Sequence, residues 1–84
     1  FASDEMHLKA YQDALTRLET EKFNSRGGLK RRVGITSKPL VGAGKGYSLD
    51  PNGYLIETNL NTYSAYFALD PTSGTYFLIT MFPE

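Results

Sequence analysis

The residues equipped for chemistry in this chain are few, and their spacing argues against most of it. His7 is the only histidine, and there is no cysteine. A Ser-His-Asp arrangement therefore has a single candidate base. A multi-histidine metal site, a thiolate metal site, a disulfide and a cysteine nucleophile are excluded or severely limited together. His7 falls at the start of a segment with helical spacing and reads as an ordinary boundary histidine. Gly42-Ala43-Gly44-Lys45-Gly46 is a partial match to a phosphate-binding loop. That loop needs a glycine where Pro39 stands, and a Ser or Thr after the lysine to hold Mg²⁺, where Gly46 stands. It reads as a flexible loop. The dinucleotide glycine pattern is not met, and no βαβ unit exists to hold it. Four acids lie late: Asp50, Glu57, Asp70 and Glu84. Asp50 and Asp70 each precede a proline, where a carboxylate initiates a turn. A carboxylate pair for glycoside hydrolysis needs a cleft that 84 residues hardly form. Calcium would need a dense Asp/Asn run at ligand spacing. The expectation is a non-enzymatic chain with no cofactor and no metal.

The basic residues form the one remaining constellation. Lys30-Arg31-Arg32 lie together, with Arg26, Lys38 and Lys45 nearby. Net charge is zero, but the charges are segregated. Residues 1–21 carry five acids and two bases, 22–49 carry seven bases and no acid, and 50–84 carry four acids and no base. Two readings follow: folding juxtaposes these segments and neutralises them, or a basic surface meets an acidic surface on another copy. Nucleic-acid binding is the other sharp use of such a cluster. Against it, the aromatics lie in the acidic half, away from the bases, whereas single-strand binding interleaves the two.

The elements that must position these residues follow from pattern. Eighty-four residues make one domain with a modest core, in which six Tyr and five Phe must supply the burial. No stretch reaches the ~20 apolar residues of a membrane span. Residues 4–24 read as a helix, capped by Ser3 or Asp4 and ended by Gly27-Gly28. Leu8, Tyr11, Leu15 and Leu18, with Ala14 beside them, form the apolar stripe expected to hold it to a sheet. Residues 25–46 read as a basic, Gly/Pro-rich region, with 29–36 as an edge strand or extended loop and 37–46 as loop. Antiparallel strands are expected over 47–83. One hairpin turns at Asp50-Pro51-Asn52-Gly53, and a second joins 63–69 to 75–82 through Asp70-Pro71-Thr72-Ser73-Gly74. By strict alternation Phe77, Ile79 and Met81 share one face of the last strand, and Tyr76, Leu78 and Phe82 the other. Both faces are apolar, so one packs on the helix and the other is a contact surface or needs cover. The class is α+β, one N-terminal helix on three or four antiparallel strands.

That order, with the run from Leu8 to Glu19 and the hairpin from Tyr63 to Tyr76, resembles the globular part of type IV pilins and pseudopilins. The pilin hallmark, a long hydrophobic N-terminal helix with a glutamate near its start, is not among these residues, and neither is the disulfide many pilins carry. The resemblance implies an extracellular, cell-surface subunit of a pilus-like filament. Its partners would be copies of itself or a companion pilin, and membrane contact would come only through an upstream segment or partner chain. Arg26, Lys30, Arg31, Arg32, Lys38 and Lys45 are then the expected intersubunit contact. The alternative is a small secreted or periplasmic protein-binding module, cystatin-like or inhibitor-like, which also places a helix before antiparallel strands. A nucleic-acid-binding domain ranks below both.

Overall fold

A computed structural model describes all 84 residues. Helix α1 (Asp4–Glu21) is followed by strands β1 (Arg32–Leu49), β2 (Leu55–Asp70) and β3 (Thr75–Pro83). The strands form one sheet in the order β1-β2-β3, with both pairs antiparallel. The expected α+β arrangement is what the chain adopts, with three strands. The strand that follows the Asp50–Gly53 turn and the 63–69 strand of the second hairpin are one continuous strand, β2.

Both hairpins turn where expected. The Asp50 carboxylate accepts hydrogen bonds from the Asn52 and Tyr54 backbone N–H groups, and Gly53 takes the left-handed φ of 85° that closes the turn. Asp70 accepts from the Thr72 N–H in the same way, with Gly74 at φ 72°. At the start of α1 the Ser3 hydroxyl accepts from the Met6 N–H, and Asp4 and Glu5 occupy the first turn.

The helix stops at Glu21, three residues earlier than expected. After Lys22 the chain leaves the helical path: Phe23 forms an isolated bridge with Leu29, and the Lys30 N–H donates to the Lys22 carbonyl. The Tyr76 hydroxyl donates to the Lys30 carbonyl. Tertiary partners thus close the helix end, and the left-handed Gly27 shapes the following loop instead of capping the helix.

The docking face also differs. Ala10, Ala14 and Leu18 are buried against Val33, Ile35, Tyr63, Ala65 and Phe67. Leu8, Tyr11 and Leu15 lie toward solvent, Leu8 at 55% exposure. Leu15 stands about 100° round the helix from Ala14. Two alanines let the helix axis come close to the strands, which leucines at those positions would prevent. A polar link fixes the choice: the Tyr63 hydroxyl, from the sheet, donates to the Asp13 carboxylate, which also accepts from Arg17. Tyr63 is fully buried. Burial and the Asp13 carboxylate together push its hydroxyl pKa up. Burial alone would raise Asp13, but the hydrogen bonds from Tyr63 and Arg17 outweigh it and hold the carboxyl below its ordinary 3.8.

Residues 37–46, expected as loop, lie within β1. The proline and glycines there mark interruptions of a strand. Pro39 is tolerated because β1 is an edge strand. The register with β2 shifts between Ile35 and Lys38 and between Pro39 and Gly44, and the left-handed Ser37 and Gly42 sit at those shifts. Gly44 is required by close approach: a Cβ there would lie 2.8 Å from the Pro83 ring.

A bulge breaks the alternation expected in β3. Leu78 pairs with Phe67 and Thr80 with Tyr66, so Ile79 is extra. Tyr76, Leu78 and Met81 consequently pack on the core together, and Phe82 turns to the opposite face, where its ring stacks on Tyr66 at 6.2 Å.

Two outcomes are expected from this packing. Ala14→Leu overfills the helix–sheet contact and lowers stability by about 1–3 kcal/mol in denaturant unfolding, whereas Leu15→Ala, on the open side, costs well under that. The Asp13–Tyr63 pair also gives a pH profile. Asp13 stabilises the fold fully above 3.8, and this is lost as pH falls through its depressed folded value. Tyr63 stabilises fully below 10.0, and this is lost as pH rises toward its raised folded value. Thermal melts should plateau between about pH 5 and about pH 9, and Asp13→Asn should flatten the acid limb.

Candidate self-association surface

The cations form a surface because the fold leaves most of them without partners. Four ion pairs exist: Lys9–Glu5, Arg17–Asp13, Lys22–Glu19 and Lys45–Glu57. Of the seven bases between residues 22 and 49, only Lys22 and Lys45 are therefore neutralised within the chain. Arg26, Lys30, Arg31, Arg32 and Lys38 carry no ion pair. Folding does not erase the segregation.

Four of these five gather at one end of the molecule. Arg26 lies in the loop between α1 and β1, its N–H held by the Asn24 side chain. Lys30 and Arg31 follow, anchored through their backbones: the Lys30 carbonyl accepts from Tyr76, and the Arg31 carbonyl accepts from the Leu69 N–H. Arg32 begins β1 opposite Ala68. Arg31 and Arg32 line a cleft of about 470 Å³ with Ala68, Leu69 and Pro71. The lining joins two guanidinium groups to three apolar residues, a combination suited to a carboxylate carried on an apolar stem. Asp70, between Leu69 and Pro71 of the cleft lining, forms no ion pair but stays ionised: hydrogen bonds from the Thr72 N–H and the Ser73 hydroxyl hold its carboxyl below the ordinary range.

The other two expected contact residues lie elsewhere. Lys38 sits opposite Tyr63, near enough to Asp13 for its charge to favour the carboxylate. Lys45 lies on the far part of β1, 3.4 Å from Glu57. The six residues therefore make a four-residue patch and two separate cations. Adjacency in sequence carried Lys30, Arg31 and Arg32 together, while the extended path of β1 took Lys38 and Lys45 away along the strand.

Apolar surface accompanies the charge, and this the sequence reading located only in part. On the sheet face away from α1, Tyr66, Phe77, Ile79 and Phe82 are exposed. Leu8, Tyr11 and Leu15 form an open stripe on the helix, beside a shallow depression of about 300 Å³ lined by Asp4, His7, Leu8 and Tyr11. His7 stacks on the Phe1 ring at 5.2 Å. The terminal part of the β1–β2 hairpin adds Tyr47, Leu49, Tyr54 and Leu55. No helix is long and apolar enough to cross a membrane.

Lys45–Glu57 is an exposed pair, with more than half of each side chain open to solvent. Lys45→Ala is expected to change unfolding stability by no more than about 0.5 kcal/mol, which chemical denaturation would resolve. No protein-family model, curated protein or solved structure matches this chain.

Proposed function

We propose that this chain is a non-enzymatic structural subunit that assembles with copies of itself, or with a companion subunit, into an extracellular pilus-like filament. The carrying observation is the charge segregation that survives folding. A cationic end bearing Arg26, Lys30, Arg31 and Arg32 forms no ion pair within the chain, while Asp4 and Asp50 lie elsewhere without ion pairs of their own. A subunit that places its cationic end on an acidic surface of the next copy satisfies both, and a heterologous contact of that kind propagates. The uncovered aromatic face of the sheet supports the same reading, because assembly would remove it from water. The helix-on-sheet arrangement agrees with a pilin-like globular part at the level of architecture only.

Charge reversal tests the contact. Arg31→Glu with Arg32→Glu is expected to abolish assembly while leaving the circular dichroism spectrum unchanged, since both side chains are exposed. Immunogold negative-stain microscopy of sheared surface material from the native source should show label spaced along thin fibres for the unmodified protein and none for the variant. Normal fibres from the variant would remove these arginines from the contact. Protein found only as a soluble species would overturn the filament reading.

A further inference from the structure

The outer part of the β1–β2 hairpin is an arm with nothing packed on it. β3 accompanies β2 only from Asp70 to Tyr63, and the Glu84–Thr62 backbone pair extends this by one residue. Beyond that point Leu55–Leu60 pair with Gly44–Leu49 on one side and with nothing on the other. An isolated two-stranded ribbon is marginal in water, and this one keeps Leu55 71% and Tyr47 73% exposed.

The three open edges of the sheet are not alike. β1 is guarded by Pro39, Lys38, Lys45 and two register shifts. β3 is interrupted by the bulge at Ile79 and ends at Pro83. Such features discourage strand addition. The β2 ledge over residues 55–61 has none of them: its sequence, Leu-Ile-Glu-Thr-Asn-Leu-Asn, contains no proline, glycine or cation.

We propose that this ledge pairs antiparallel with the same ledge of a second copy, about a two-fold axis at Thr58. In that register Thr58 faces Thr58 of the second copy, Ile56 faces Leu60, Glu57 faces Asn59, and Leu55 faces Asn61. The charge pattern favours a copy as occupant. The only charge on the ledge meets an amide instead of its own like, and its counter-ion, Lys45, is already supplied from β1. Length favours it too. One end of the ledge is closed by the Glu84–Thr62 pair and the other by the turn at Asp50–Tyr54, so two ledges of seven residues mate flush. The pairing joins two arms into a four-stranded sheet, β1-β2-β2-β1. A contact this short belongs to the small, weak class of interfaces, so the pair forms at high protein concentration. It uses neither arginine of the cationic end and stands apart from the filament reading.

The chain's lack of cysteine makes the test direct. Residues opposite each other across two strands have Cβ atoms about 4.5–5.5 Å apart, within small adjustment of a disulfide. Thr58→Cys, treated with a mild oxidant, is expected to give several-fold more disulfide-linked dimer than Val41→Cys, which is 84% exposed on β1. The preference should persist when Arg31→Glu and Arg32→Glu are added, which separates this contact from the proposed filament contact. Equal yields from the two cysteine variants, or loss of the preference in the charge-reversed background, would overturn the ledge pairing. Sedimentation equilibrium of the Arg31→Glu/Arg32→Glu chain, in which the filament contact is removed, should show a monomer–dimer equilibrium, and a strict monomer at every concentration would overturn it as well.

Discussion

Helices and strands advance at different rates, and this mismatch governs the molecule. α1 and β1 each contain 18 residues. The helix is about 27 Å long, while a strand of that length approaches ~60 Å when fully extended. The long dimension of the protein is 51 Å. One helix of this length cannot cover the strand that follows it, so the buried core is confined to the half of the sheet beneath α1. There Val33, Ile35, Tyr63, Ala65 and Phe67 meet Ala10, Ala14 and Leu18. β3, with nine residues, is about as long as the helix and lies in the same half. Everything beyond Gly44 and Leu60 is therefore a ribbon with solvent on both faces.

Local chemistry was legible in the sequence where the residues themselves decide the backbone. The two Asp-Pro turns, the Ser3 cap and the antiparallel order of the strands follow from side chains that hydrogen-bond within a few positions. Three features were not legible, and each depends on a partner far along the chain. The proline and glycines of residues 37–46 match a loop, but Gly44 answers to Pro83 and Pro39 to an edge position. The helix offers an apolar arc wide enough for two docking choices. The alanines and the Asp13–Tyr63 link select the one that the larger side chains did not suggest. In β3 the extra residue at Ile79 exchanges the faces of Met81 and Phe82 relative to strict alternation, and nothing in the run Phe77-Leu78-Ile79-Thr80 marks it.

The surface divides in the same way. Clustering of Arg26 with Lys30, Arg31 and Arg32 was readable because a short loop and the start of a strand hold them together. Lys38 and Lys45 were separated from them by an extended strand that composition had concealed. Charge counts over segments proved a better guide than the individual positions. Of the acids outside residues 22–49, only Glu19 and Glu57 form ion pairs with that basic stretch.

Gly44 has a wider meaning than its close contact with Pro83. The Phe1 Cα also lies within 4 Å of the position a Cβ would take there, and the Ala2 N–H donates to the neighbouring Ala43 carbonyl. Both chain ends thus converge on one point, at the root of the arm. Tension applied through them would first strip α1 from the sheet and peel β3 from β2. The arm lies outside that load path until both have given way, so it is mechanically sheltered although it is the most exposed part of the protein.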